Sequence, residues 1–169
     1  MVLTPHAVVG AAIASAFNLT PGAAFVAGFA SHFLLDSIPH WDYDLKASSL
    51  DNENPLNDDI PISRKAIGDW IKIFFDLFLG FFLAITFFTG HGQITTLTSL
   101  LWGAFGGILP DGFQFLAMKF KLRPLVFFHR FHILMCSPIK IKNTIWGPLL
   151  QALVLLLALI LGNWTFFIL

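Results

Sequence analysis

Charged side chains are scarce in this sequence. Only 12% of its 169 residues are Asp, Glu, Lys or Arg, about half of the share that a soluble globular domain carries. Hydrophobic residues make up 56% of the chain and aromatic residues 15%, including 20 Phe. This composition argues against an ordinary soluble domain and predicts an integral membrane protein. Ten basic residues balance ten acidic ones, so the chain lacks the positive excess that attracts nucleic acid, and we expect no nucleic-acid partner.

Cysteine is nearly absent, since Cys136 is the single one in the sequence. An intramolecular disulfide is therefore excluded, and so is a metal site built from several thiolates. A metal site in this chain would depend on imidazoles and carboxylates.

Long apolar runs are what the chain has in place of charge. They predict an all-α fold, a polytopic helical bundle forming one membrane domain over 1–169, with about five membrane segments. We expect a helix pair over 1–38, a polar cytoplasmic loop over 39–64 and a second helix pair over 65–118. A basic interfacial segment over 119–142 and a C-terminal membrane helix over 144–168 follow. The apolar stretches are 5–17, 21–38, 73–89, 94–117 and 144–168.

The basic residues orient this bundle. Four lie between 39 and 72 and six between 119 and 142, whereas the connections at 18–22 and 90–93 have none. Loops rich in Lys and Arg stay in the cytoplasm. The sequence therefore predicts a multi-pass protein of a bacterial-type inner (plasma) membrane, with its N-terminus in the cytoplasm and its C-terminus outside.

Imidazoles and carboxylates lie at the cytoplasmic ends of these segments, where each is costly to place and needs an explanation. His32 and Asp36 are four residues apart and His129 and His132 three apart, so each pair shares a helix face. Such pairs present two ligands to one ion. We expect a divalent metal ion, zinc or manganese. The candidate ligands are His6, His32, Asp36, His40, Asp76, Asp111, His129 and His132.

A short internal repeat supports this convergence. Gly28 precedes Asp36 by eight residues, and Gly103 precedes Asp111 by the same interval. His6 and Asp76 each lie four residues before a glycine. The two helix pairs are therefore interpreted as a two-fold repeat, each with a polar residue where it enters the membrane and another where it leaves.

Each candidate also has a structural interpretation. His32 and Asp36 would serve equally as a buried pair that fixes helix packing, and Asp76 would form an ion pair with Lys72. Asp111 would cap a short helix after a break at Pro110. His129 and His132 would form the wet face of an interfacial helix, with Arg130 on lipid phosphate.

Several of these motifs together resemble a known family. They are the leading His6 in TPHAVVGAAIA, the run LLDSIPHWD that ends at Asp42, the segment LPD that ends at Asp111, and HRFH over 129–132. In this combination the chain resembles the bacterial inner-membrane metal-dependent hydrolases, some of which are described as LexA-binding. The resemblance covers roughly residues 4–44 and 103–132. It implies metal or catalytic roles for His6, for Asp36 or Asp111, and for His129 and His132.

The sequence therefore predicts a metal-dependent hydrolase that acts on an ester or phosphoester at the cytoplasmic membrane face, with membrane lipid as partner and candidate substrate. Asp36 and Asp111 are the candidate catalytic carboxylates, and Arg130 would hold the anionic group of the substrate. The alternative is a non-enzymatic membrane protein, either a structural bundle or a transporter of metal ions or protons.

Overall fold

The computed structural model describes residues 1–42, 44–49, 51, 54, 57–89, 95–141 and 145–163. Within these residues the chain is all-α and contains no strand, as the sequence predicts. A 3-10 turn over Arg64–Ala66 leads directly into the third helix. The six α-helices are α1 (Leu3–Ala16), α2 (Pro21–Asp36), α3 (Ile67–Phe88), α4 (Leu97–Phe120), α5 (Arg123–Met135) and α6 (Trp146–Gly162).

Helices α1, α2 and α4 begin and end within three residues of the predicted apolar stretches. Pro21 opens α2, where its fixed φ suits the first turn. Pro110, in contrast, lies inside α4 and does not end it. Asp111 therefore lies within a continuous helix, and the expectation that it caps a new one is wrong.

Small residues set the distances between the central helices. α1, α2 and α4 pack on one another, and α3 and α6 pack on α1. A methyl group added at Gly103 of α4 would lie 2.5 Å from the carbonyl oxygen of Gly10 in α1. One added at Gly28 of α2 would meet the carbonyl of Gly103. Glycine at these crossings lets the backbones touch, as in helix pairs of membrane proteins.

The outer surface of the helices is strongly apolar. On α3, Phe75, Phe78 and Phe82 are each more than 60% exposed, and α6 exposes Leu149, Leu153 and Leu157. The interior contains alanines together with buried His, Asp and Ser side chains. Soluble monomers rarely expose apolar area on this scale.

One helical stretch of the described chain, Arg64–Phe88, is long and apolar enough to cross a membrane. The apolar helices α1 and α6 are shorter, at 14 and 17 residues. The prediction of about five membrane segments thus remains a prediction. The whole of the predicted outer turn, 90–93, and the end of the predicted C-terminal segment, from 164 on, lie outside the described residues.

Candidate metal centre

Four of the eight predicted ligands meet at one point in the fold. His32 and Asp36 come from the last turn of α2, Asp111 from α4 and His132 from α5. One donor atom of each residue lies within 4.8 Å of all the others. His32, Asp36 and His132 are buried, whereas the Asp111 side chain is 26% exposed. We call these four residues the His/Asp cluster.

The cluster is assembled by the connections between its helices. Asp36 and His132 face each other because the backbone amide of Ser137, just after α5, donates to the carbonyl of Asp36 at 2.7 Å. Farther along, the amide of Ile141 donates to the carbonyl of His40 at 2.9 Å. These two bonds hold the end of α5 against the end of α2. They bring His132 close to Asp36, although the two residues are 96 positions apart in the sequence.

The orientation of His32 suits a metal ligand. Its Nδ1 lies 2.7 Å from the carbonyl oxygen of Gly107. A carbonyl only accepts, so Nδ1 carries a hydrogen, and in the neutral ring Nε2 is left with a lone pair. Metal-binding histidines are oriented in this way by a second hydrogen bond.

The two cluster imidazoles point their Nε2 atoms at each other. These atoms are 2.9 Å apart, and they lie 3.4 Å (His32) and 3.1 Å (His132) from Oδ2 of Asp36. Oδ1 of Asp111 lies 3.7 and 3.8 Å from the same two atoms. Two nitrogens and two carboxylates thus surround one small volume, which is the donor set that zinc or manganese binds.

His6 adjoins the cluster and has no hydrogen-bonding partner in the part of the chain that the structure describes. Its ring is fully buried and stacks on that of His32, with centroids 4.0 Å apart. Nε2 lies 3.2 Å from Oδ1 of Asp36, but neither ring nitrogen makes a hydrogen bond. The buried imidazole therefore has the Asp36 carboxylate beside it without a well-aligned hydrogen bond, an arrangement that a further group bound at this point would improve.

Asp36 is the centre of this arrangement. Its Oδ2 faces His32 and His132, while its Oδ1 faces His6 and the amino nitrogen of Met1 at 2.8 Å. Both oxygens are therefore engaged, and the side chain is 3% exposed. Asp36 is better suited to binding a cation than to exchanging protons with solvent.

His40 lies beside the cluster and is engaged by other partners. Nε2 is 3.8 Å from Asp36 Oδ1 but only 2.7 Å from Nζ of Lys140, which also donates to Asp42 at 2.7 Å. Burial alone would raise the pKa of Asp42, but His40 and the neighbouring cations outweigh it and hold this pKa far below its usual range. His40 therefore belongs, with Lys140 and Asp42, to a group of paired polar side chains beside the cluster.

Asp76 is not brought to the cluster. Its carboxylate accepts hydrogen bonds from the backbone amides of Leu3 and Thr4 and from the Thr4 hydroxyl, so it caps the start of α1. The expected ion pair with Lys72 does not form either, because Lys72 lies 3.3 Å from Asp69 instead. Both sequence interpretations of Asp76 therefore differ from what the structure shows.

Arg130 and His129 also lie outside the cluster. Arg130 is exposed and lines a separate cavity of about 340 Å³ with Lys121, Arg123, Val126 and Phe127. His129 is buried on α5, one helical turn before His132. The structure therefore does not place Arg130 where it would contact a substrate bound at the cluster.

The sequence did not single out two residues that lie near the cluster, Cys136 and Lys140. Cys136 donates to Asp36 Oδ2 at 3.4 Å, and burial together with this carboxylate raises the thiol pKa to about 12. Its position four residues after His132 could have indicated a shared face. Nothing in the sequence pointed to Lys140, which reaches His40 from 100 positions away.

A cavity of about 510 Å³ adjoins the His/Asp cluster. Asp36, Asp111 and His132 line it together with other side chains of α3, α4 and the loop before α3. Its volume is that of a typical small-molecule site. Asp111, the most exposed member of the cluster, faces this space.

No protein-family model, curated protein or solved structure matches this chain. The family resemblance noted above therefore remains an expectation from short motifs.

Proposed function

We propose that this chain is an integral membrane protein that binds a divalent metal ion at His32, Asp36 and His132 and hydrolyses an ester or phosphoester bond in the adjoining cavity. The observation that carries the proposal is the meeting of two buried Nε2 atoms and two carboxylates beside a cavity of substrate size.

The metal proposal is supported by the hydrogen-bonding pattern. With Nδ1 of His32 committed to Gly107, two buried imidazole nitrogens face each other at 2.9 Å with carboxylate oxygens around them. His132 Nδ1 and both His6 nitrogens make no hydrogen bond within the described residues. A cation between these groups would bind the lone pair of His32 Nε2, whose tautomer Gly107 fixes, together with the Asp36 carboxylate.

The chemistry follows from this donor set. Two imidazoles and one carboxylate leave a coordination position open, as in catalytic zinc sites, where a bound metal lowers the pKa of water and polarises the scissile group. Asp111 is the better exposed carboxylate and faces the cavity, so we assign it as the general base that accepts the proton of the attacking water. The released proton would then pass to the leaving oxygen of the ester.

The membrane proposal is supported by the exposed apolar faces of α3 and α6 and by the charge distribution. Lys119 and Lys140 form ion pairs with Asp59 and Asp42 at the cluster end of the molecule. At the opposite end, Ser15 donates to Gly162 and Thr95 to Ser15, with no charged partner in these contacts. The basic residues and the cluster thus share one end, which we propose is cytoplasmic.

The first test is metal content. We expect purified wild-type protein to contain about one equivalent of zinc or manganese by inductively coupled plasma mass spectrometry. His132→Gln and Asp36→Asn should lose it, and His129→Gln on the same helix is the matched control. Folded wild-type protein without metal after loading would contradict the proposal and favour a structural role for these residues.

The second test is hydrolysis of p-nitrophenyl acetate and bis-p-nitrophenyl phosphate. Asp111→Asn should retain metal but lose about 10²- to 10⁴-fold in kcat, because a general base contributes on that scale. A chelator should abolish activity, and re-addition of the metal should restore it. Equal rates for Asp111→Asn and wild type would remove Asp111 from this role.

A further inference from the structure

The cavity beside the His/Asp cluster has polar side chains from the cluster and from the loop before α3, and apolar side chains from α3 and α4. Three side chains of α3 line it, Trp70, Ile73 and Leu77, and their spacing places them on one helix face. On α4, Ile108, Phe115 and Met118 line the opposite wall with similar spacing. All six side chains are half-buried and line this space.

The α4 stripe extends to both sides of the cluster residue Asp111. Asp111 lies between Ile108 and Phe115 on the α4 stripe. The rings of Trp70 and Phe115 meet edge to face, with centroids 5.1 Å apart. From Leu77 to Trp70 the α3 stripe is seven residues long, which is about 10 Å of helix.

The α3 stripe that lines the cavity is distinct from the surface that α3 presents to its surroundings. Phe75 and Phe78 are 68% and 70% exposed and do not line the cavity. α3 therefore has two apolar faces, one outside the molecule and one along the cavity. The outer face is explained by a membrane, but the inner one is not.

We infer that the cavity binds an amphiphilic substrate, with its ester or phosphoester group at Asp111 and His132 and an alkyl or acyl chain between the α3 and α4 stripes. This inference rests on the proposed hydrolase function and specifies its substrate class. Two apolar stripes beside the cluster carboxylate Asp111 match a molecule with a polar head and an apolar chain, although the loop carboxylates Asp58 and Asp59 also line the cavity. A small polar ester would leave the stripes unused.

The test measures binding of alkyl phosphates to metal-loaded protein in lipid nanodiscs. The probes are inorganic phosphate, butyl phosphate and octyl phosphate, and the readout is the dissociation constant by titration calorimetry. Because each buried methylene adds up to about fourfold in affinity, octyl phosphate should bind at least about tenfold more tightly than butyl phosphate.

Ile73→Trp fills the middle of the α3 stripe. We expect this variant to bind octyl phosphate no more tightly than butyl phosphate, while its metal content stays at the wild-type level. Phe78→Trp makes the same kind of change on the outer face and should keep the full chain-length effect. If Ile73→Trp keeps the wild-type preference for octyl phosphate, the inference is overturned.

The His132→Gln variant separates this inference from the proposed function. Loss of the metal should weaken all three phosphates by a similar factor and leave the ratio of octyl to butyl affinity intact. If wild-type protein contains no metal but the ratio is large and disappears in Ile73→Trp, the cavity inference stands and the hydrolase proposal falls. If the protein contains metal and the ratio is near one, the hydrolase proposal stands and the cavity inference falls.

Discussion

At the scale of single residues, Asp76 is a carboxylate that was predicted to bind metal but has a structural role. Its oxygens accept from two backbone amides and a hydroxyl at the start of α1. We expect Asp76→Ala to lower the free energy of unfolding by about 2–3 kcal/mol, because buried amides lose a charged acceptor. Metal content should not change.

The measurement is the thermal unfolding midpoint in detergent, together with metal analysis of the folded fraction. Asp76→Asn keeps one acceptor oxygen and should fall between wild type and Asp76→Ala. Loss of metal with an unchanged midpoint would return Asp76 to the ligand set.

Arg130 and His132 are two residues apart on α5 but lie in different surroundings. His132 belongs to the His/Asp cluster, whereas Arg130 is exposed beside Lys121 and Arg123. We expect Arg130→Gln to keep the metal and at least half of the wild-type kcat. His132→Gln should lose both. A loss of more than about tenfold in kcat for Arg130→Gln, with metal retained, would place this guanidinium on the substrate.

The identities of several cluster residues could be predicted from the sequence, but not their contacts between helices. Spacing on one helix pairs His32 with Asp36, and the cost of charge in an apolar segment singles out Asp111. Spacing does not say which neighbouring helix a side chain reaches. Asp76 binds the amides of α1 because of how α3 packs on α1, and Lys140 reaches His40 because the segments that follow α5 and α2 pair through their backbones. Both contacts depend on packing between distant parts of the chain.

At the scale of helices, the crossing of α1 and α4 positions the cluster. Gly103 touches the backbone of Gly10, and Gly107 beside it provides the carbonyl that orients His32. We expect Gly103→Ala to destabilise the protein by about 1–3 kcal/mol, because its methyl group would lie 2.5 Å from a carbonyl oxygen. Metal affinity should fall as well, since α4 would shift relative to α2.

Gly112 in the same helix is the matched control. A methyl group there has no neighbour within 4 Å, so Gly112→Ala should be neutral or stabilising by up to about 1 kcal/mol, the helix-propensity difference. Unfolding midpoints of both variants in one detergent would test this. Equal effects at the two positions would show that the crossing is not close in solution.

Helix number and order follow from apolar runs and turn residues, but the continuity of α4 through Pro110 does not. Proline inside a helix removes one hydrogen bond and crowds the carbonyl four residues earlier, here that of Gly106. The neighbouring helices pack tightly around this turn, since Gly106 touches the backbone of Phe25. Packing between helices thus overrides the local break signal on which the structural interpretation of Asp111 was based.

At the scale of the whole molecule, the two ends of the bundle differ in charge. The end that carries the cluster has the ion pairs of Lys119 and Lys140, and the other end is formed by the turn near Asn18 and by Thr95. Short loops with Lys and Arg stay in the cytoplasm. We therefore expect Ser49, in the loop before α3, and Thr20, before α2, to face opposite sides of the membrane.

Cysteine labelling tests this topology in a Cys136→Ser background. In intact cells a membrane-impermeant maleimide should modify Thr20→Cys but not Ser49→Cys, and permeabilised cells should show modification of both, because both side chains are exposed. The protein should stay in the membrane fraction after an alkaline carbonate wash. If both positions react in intact cells, the predicted topology is wrong. If the wash releases the protein, the membrane assignment is wrong.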